Sequence, residues 1–354
     1  MQPCDLYERT RRLVRPVSPA WLERAWARLD SLTKPRRSLG YLEELAARLA
    51  AILQQDRPRI EGKRVVVFAG DHGVVAEGVS AYPSAVTGLM VRNMLAGGAA
   101  INVLARRTGA AVEVVDIGMA EPPVRGKGLL DRNVRRGTGN IARGPAMTPD
   151  EAVRAVAVGI ERAQAAAEGG VTLLATGEMG IGNTTPAAAV LAVLLDLPVA
   201  GLIGPGTGLD AAGLARKRAA LDRALAVNRA ACAGPLETLA AVGGLEIAGI
   251  CGLCLGGAAH GRPVVVDGFI SSAGALAAMR MNPAVKDYLF FAHRSAEPGH
   301  GRFFEREGLR PLVSLDLRLG EGTGAAVAMH LLEDALALYT GMATFAEAGI
   351  APGA

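Results

Sequence analysis

Apolar residues in the first sixty positions recur at helical spacing. Trp21, Leu22, Ala25, Trp26, Leu29 and Leu32 share one helical face, and Leu42, Leu45, Ala46, Leu49, Ile52 and Leu53 share another. Ser18 before Pro19 reads as an N-cap followed by a first-turn proline. The polar stretch from Gln54 to Lys63 reads as a boundary. Beyond it the pattern changes to short β-branched runs separated by Ala-rich helical stretches. Arg64–Ala69, Ala111–Ile117, Val171–Thr176, Pro263–Val266, Tyr288–Ala292 and Leu312–Leu317 are the predicted strands. Most are too continuously apolar for a strand with one face in water, the pattern of strands covered on both faces by crossover helices. Such alternation predicts an α/β fold, a mostly parallel sheet flanked by helices. Gly324 to Ala348 returns to helical spacing. Residues 1–60 and 325–354 are therefore expected to form a small helical domain, and 61–324 a large α/β domain carrying the active-site loops.

Composition narrows the function classes. The chain has 354 residues, 50% hydrophobic and 20% charged, which excludes disorder as its overall state. Aromatics at 4% argue against a nucleic-acid binder built on stacking. The net charge of +4 is spread out and forms no polyanion-binding stripe, so no nucleic-acid partner is expected. Mean hydropathy is high at +0.26. The longest apolar runs nevertheless fall short of the ~20 residues of a membrane span. Ile247–Ala259 is hemmed by Glu246 and His260, and the run after Pro186 breaks at Asp196. No secretory leader is visible, so the cytoplasm is the expected location, and Cys4, Cys232, Cys251 and Cys254 suit it as reduced thiols. Cys251-Gly252-Leu253-Cys254 is a single CxxC in an apolar helical run and reads as buried structural thiols.

The most informative positions are those where the strands stop. Arg64–Ala69 runs into Gly70-Asp71-His72-Gly73, Val171–Thr176 into Gly177 to Thr185, and Pro263–Val266 into Asp267-Gly268. Tyr288–Ala292 meets His293 to His300, and Leu312–Leu317 meets Arg318 to Gly324. In a parallel sheet these ends share one edge, where open α/β folds bind ligands. Five Gly-rich, polar loops should therefore converge on one cleft.

Within Gly177–Thr185, glycines permit close backbone approach, and Asn183, Thr184 and Thr185 begin a helix, a ready anion site. Gly204 to Asp210 is a second such loop, and Lys217 lies two turns into the helix after it. Together they suggest a phosphate site. No Gly-Lys-Ser/Thr follows, and the spacing of Gly177, Gly180 and Gly182 is not a dinucleotide fingerprint. Glu321, between two glycines, is a candidate general base with a raised pKa, or else a first-turn helix acid; Glu178 has the same two readings. Asp71-His72 has poor geometry for a metal site, and no metal is expected.

Taken together, these segments resemble the nicotinate-nucleotide–dimethylbenzimidazole phosphoribosyltransferases of cobalamin biosynthesis. The matching stretches are Thr33-Lys34-Pro35 with Ser38-Leu39-Gly40, Phe68 to Val74, Glu77 to Ser80 with Tyr82-Pro83, and Gly97 to Asn102. They continue with Gly177–Thr185, Gly206 to Asp210, Asp267-Gly268-Phe269, His293–His300 and Gly320–Gly324, in family order over nearly the whole chain. The resemblance implies transfer of the 5-phosphoribosyl group of nicotinate mononucleotide onto 5,6-dimethylbenzimidazole, giving α-ribazole 5′-phosphate and nicotinate. It implies a Rossmann-like large domain and no cofactor. The family's base falls on Glu321, and its phosphate and ribose contacts on Glu178, Gly180, Gly182, Asn183, Thr184, Gly206, Lys217 and Ser295. Asp71, Ser80, Tyr82, Leu89 and Met90 are the implied base pocket. A homodimer is implied, with the Ser295 loop reaching the partner's site. In two places the chain departs from the family: Arg36-Arg37 stand where a Gly is usual, and Leu89 where Gln is common. Leu cannot hydrogen-bond, which leaves adenine, another benzimidazole or a phenolic acceptor open beside dimethylbenzimidazole.

Overall fold

The computed structural model describes residues 1–120, 124, 126–206 and 208–351. Val65, Val66, Val67 and Phe68 are fully buried because their strand lies mid-sheet with helices on both faces. The strands are β1 (Lys63–Gly70), β2 (Ala111–Gly118), β3 (Leu129–Asp131), β4 (Leu173–Met179), β5 (Val264–Val266) and β6 (Leu289–Phe291). They form one parallel sheet in the order β3-β2-β1-β4-β5-β6. The chain moves outward from β1 on one side and resumes at β4 on the other. β1 and β4 are neighbours, so the crevice beyond their carboxyl ends is a topological switch point.

Two expectations are corrected here. Leu312–Leu317 is not a strand: it makes a single bridge, His293 to Val313, and then leaves the sheet. Asp316 at φ +54° breaks the ladder, and Leu315 is 52% exposed. β4 runs further than the apolar pattern indicates. Gly177, Glu178 and Met179 are its last residues, paired with Val67, Phe68 and Ala69 of β1. Glu178 is thus held by sheet rather than by loop.

The terminal segments pack together. Helix Pro19–Ser31 starts at Ser18, whose carbonyl accepts from Leu22 N–H (3.1 Å) while its hydroxyl makes no cap bond. Thr33 N–H reaches Ala343 O (3.0 Å), and Phe345 N–H reaches Ser31 O (2.9 Å). Leu29, Leu45 and Tyr339 join the same apolar core as the sheet. Arg37, at φ +63°, stacks on the Trp26 ring at 3.5 Å. Thr148 and Glu151 form a reciprocal capping box ahead of helix Pro149–Glu168. That helix packs so closely on Leu245–Ala259 that a Cβ on Gly252 would lie 1.9 Å from Val156 O. Cys251 and Cys254 lie in the second helix, fully buried, and burial raises both thiol pKa values.

Residues Ala85–Thr108, taken as one stretch of 24, have the length and hydropathy (1.3) of a membrane span. They form two helices, Ala85–Leu95 of 11 residues and Ala100–Thr108 of 9, broken at Ala96–Ala99. At 1.5 Å per residue neither crosses a ~30 Å hydrocarbon layer.

Candidate active site

A cavity of about 490 Å³ opens beside the carboxyl ends of β4 and β5, at the switch-point edge. Glu178 and Asp267 border it on the sheet side. Gly180, Gly182, Asn183, Thr184, Gly206, Ser295 and Glu297 line it as well. Ser80, Tyr82, Phe269 and Leu319 also line it. The cleft therefore gathers four of the five strand-end segments expected to converge, together with the Gly204–Asp210 loop. Thr207 of that loop lies outside the described residues.

Glu178 is 5% exposed, and its carboxylate takes a short hydrogen bond from Asn183 Nδ2. Burial, then the charges of Asp267 and Glu246, push its pKa up to about 8, against the Asn183 bond. By itself Glu178 is thus mostly protonated at neutral pH, rather than a standing anion. Asp267, which the sequence reading did not single out as a site residue, accepts from Ala325 N–H (2.9 Å) and Gly322 N–H (3.3 Å). It thereby caps helix Thr323–Gly341. Burial raises its pKa while His293 opposes the rise.

Gly320, Glu321 and Gly322 have φ of +82°, +63° and +87°. Three consecutive left-handed residues explain the flanking glycines, and the non-glycine among them is strained. Glu321 is 3% exposed. Gly320 borders the cavity, whereas Glu321, the next residue, is not among those that line it. Burial raises the Glu321 pKa, a hydrogen bond from Ile101 N–H lowers it, and the Asp267 charge raises it. Its Oε2 is buried without a hydrogen-bond partner. Ile101 lies in the first turn of helix Ala100–Thr108, so a helix N-terminus faces this carboxylate.

The expected phosphate residues do come together. Asn183 is the N-cap of helix Thr184–Leu195. Lys217, 1% exposed, donates to Thr184 Oγ1 (2.7 Å) and Gly204 O (3.0 Å). Desolvation lowers its pKa to about 8, with Glu297 opposing. Gly180 permits close packing of the β4 end on the β1 end: a Cβ there would lie 2.5 Å from Gly70 O.

Ser295 borders its own chain's cavity. Its N–H donates to His300 Nδ1 (2.9 Å). That leaves the proton of a neutral His300 on Nε2, which then donates to Ser272 Oγ (3.0 Å). Burial, with His293 and Arg294 nearby, lowers the His300 pKa to about 3, so the ring stays neutral. Ala296 N–H bonds Leu317 O (3.0 Å), tying the Ser295 loop to the segment that leads to Glu321.

Other expected residues stand apart from the cavity lining. Asp71 Oδ2 accepts from Ala120 N–H (2.8 Å), tying β1 to the segment after β2. His72 Nε2 lies 2.9 Å from Glu246 Oε1, both buried. Burial works against the His72 cation, but Glu246 outweighs it and raises the pKa. Leu89 is 56% exposed, and Met90 is half-buried beside it. Glu246 gave only a faint signal, as the charge that ends an apolar run. Asp267 and Glu297 carried a stronger one as acids just past predicted strands.

A cavity at the carboxyl edge of the sheet, lined by buried acids and by a lysine-backed helix start, suits a phosphorylated nucleotide substrate. A family model described as Phosphoribosyltransferase matches residues 14–350. The nicotinate-nucleotide–dimethylbenzimidazole phosphoribosyltransferase of Prosthecochloris aestuarii is 54% identical over 95% of this chain and 96% of that one. Its Pseudomonas aeruginosa counterpart is 53% identical over 95% and 96%. The crystal structure of CobT from Thermus thermophilus superposes with a TM-score of 0.90 at 54% identity, covering 95% of this chain and all of that one. The chain belongs to the nicotinate-nucleotide–dimethylbenzimidazole phosphoribosyltransferase family, transferases of cobalamin biosynthesis.

Proposed function

We propose that the chain transfers the 5-phosphoribosyl group of nicotinate mononucleotide to 5,6-dimethylbenzimidazole, with Glu321 as general base. One observation carries this reading: the cavity lining combines the buried carboxyls Glu178 and Asp267 with Thr184 and Gly206, and Lys217 donates to Thr184. Nicotinate mononucleotide has the matching polarity, a pyridinium cation at C1′ and a phosphate at C5′. The phosphate is held by the start of helix Thr184–Leu195, by Gly206 and by Lys217. The pyridinium, placed against Glu178, lowers that acid's pKa and restores its charge. That charge then favours the oxocarbenium character of the transition state.

Nicotinate leaves C1′ as a neutral pyridine, so it needs no proton. The acceptor attacks from the opposite face through its bare ring nitrogen, and C1′ inverts from β to α. Its other ring nitrogen gives up a proton, which Glu321 takes on its unpartnered Oε2. Burial and the Asp267 charge raise the Glu321 pKa, against the Ile101 N–H, which makes the carboxylate a stronger base than an exposed one. Tyr82, Phe269 and Leu319 provide an apolar wall for the flat acceptor. Leu89, like Asp71 and Met90, lies outside the cavity lining, so the choice among acceptors is left to the base panel. No dimer contact is needed for this reading, although a homodimer, with the Ser295 loop reaching the partner's site, remains our expectation for the family.

The direct check is to incubate the protein with nicotinate mononucleotide and a panel of bases and to follow released nicotinate. Release with dimethylbenzimidazole, exceeding that with adenine or phenol, supports the proposal. No release with any base overturns it.

A further inference from the structure

Glu297 stands in the phosphate subsite, where a carboxylate is out of place. It is 4% exposed and lines the cavity. Its Oε1 accepts from Gly206 N–H (3.0 Å), and its Oε2 is buried without a hydrogen-bond partner. A Cβ on Gly206 would lie 3.4 Å from Lys217 Nζ, so this N–H belongs to the lysine's neighbourhood. Glu297 is the N-cap residue of helix Pro298–Glu307, yet its side chain makes no cap bond. It turns instead to the Gly204–Gly208 loop. An internal anion therefore holds a donor that a phosphate would use.

We infer that Glu297 makes capture of the phosphorylated donor a proton-linked step. This rests on the phosphate reading of the Lys217 subsite given above. A phosphate dianion entering beside Gly206 meets the Glu297 carboxylate, and two desolvated anions cannot share that space. The carboxylate takes one proton from solvent and becomes a neutral acid. Its new O–H can donate to a phosphate oxygen, and Gly206 N–H is released to the phosphate. No bond of the donor breaks. Glu297 is thus a positioning residue that selects for the phosphate end of the substrate.

The surroundings are consistent with this. Burial raises the Glu297 pKa, against Lys217 from helix Ala211–Asn228, the Gly206 N–H, and Arg318 from the segment after Val313. His300 lies one turn along and stays neutral. Glu178, Asp267 and His293 line the same cavity. Burial is already set against the charge, so a dianion arriving nearby makes the carboxylate take a proton from solvent.

The test is calorimetry of the wild-type protein at pH 7 in buffers of different ionisation heat. There Lys217, at a pKa of about 8, is largely protonated already. The donor phosphate, with a second pKa of about 6, is largely dianionic. Nicotinate riboside, which brings the pyridinium but no phosphate, should bind with release of up to one proton, from Glu178. Nicotinate mononucleotide should bind with up to one proton more than the riboside, and in Glu297→Gln, which keeps the acceptor for Gly206, that difference should shrink to a small remainder. A wild-type difference between the two ligands no larger than that remainder overturns the inference, whatever the variant does. The phosphate reading fails separately if Lys217→Ala binds nicotinate mononucleotide as tightly as the wild type.

Discussion

Gly320 leaves no room for a side chain above Glu178: a Cβ built on it would lie 2.1 Å from Glu178 Oε1. The strained Gly-Glu-Gly turn and the β4 carboxyl are therefore fitted to each other. Any side chain at residue 320 pushes on the acid that faces the cavity.

Gly320→Ala combines that clash with φ +82°, which costs about 1–3 kcal/mol for a residue with a Cβ. Its melting temperature and nicotinate release should both fall. Gly341→Ala is the control, since nothing lies within 4 Å of a Cβ there. A melt of Gly320→Ala matching that control would remove the proposed fit.

Glu178 makes stability depend on pH. Its pKa rises to about 8 in the fold from 4.5, so between those values the folded chain binds the extra proton. Stability from this group is full below about 4.5 and is lost as pH rises toward 8. Glu178→Gln should therefore stabilise the protein at pH 8 relative to the wild type, by roughly 3–5 kcal/mol at most, and hardly at pH 4.5. Urea melts at the two pH values measure this. A gain that is equal at both would mean the acid is not desolvated.

Lys217→Ala should weaken nicotinate mononucleotide by about 10- to 150-fold, the worth of a charged hydrogen bond, and leave the riboside nearly unchanged. In the wild type the grip should weaken above pH 8, where this lysine loses its proton. Competition binding across pH gives both numbers.

The sheet was legible because β1, β4 and β5 are continuous apolar runs and the loops after them are glycine-rich. β3 was not, since Leu129–Asp131 is a three-residue edge strand with only two apolar positions. Leu312–Leu317 misled because alternation signals a strand whether or not a partner strand is present. Lys217 and Thr184 were found from loop chemistry, and their contact fits that reading. Glu297 and Asp267 drew less notice because a single acid past a strand looks like an ordinary cap. Their importance comes from burial and from neighbours distant in sequence. The His72–Glu246 pair joins residues 174 positions apart and has no local signature.

The thiols offer a check on the packing. Cys4 is exposed and Cys232 half-buried, while Cys251 and Cys254 are buried with raised pKa values. An aromatic disulfide reagent should label Cys4 fast, Cys232 slowly and the other two only on unfolding. Rapid labelling of all four would contradict the close helix packing around Gly252.

The central claim is that Glu321 removes the acceptor's proton. Glu321→Gln keeps the shape and deletes the base, so the decisive measurement is single-turnover transfer from nicotinate mononucleotide to dimethylbenzimidazole. We expect formation of α-ribazole phosphate to slow by about 10²- to 10⁴-fold while donor binding stays within a few-fold of wild type. An undiminished rate in the glutamine variant would contradict the account.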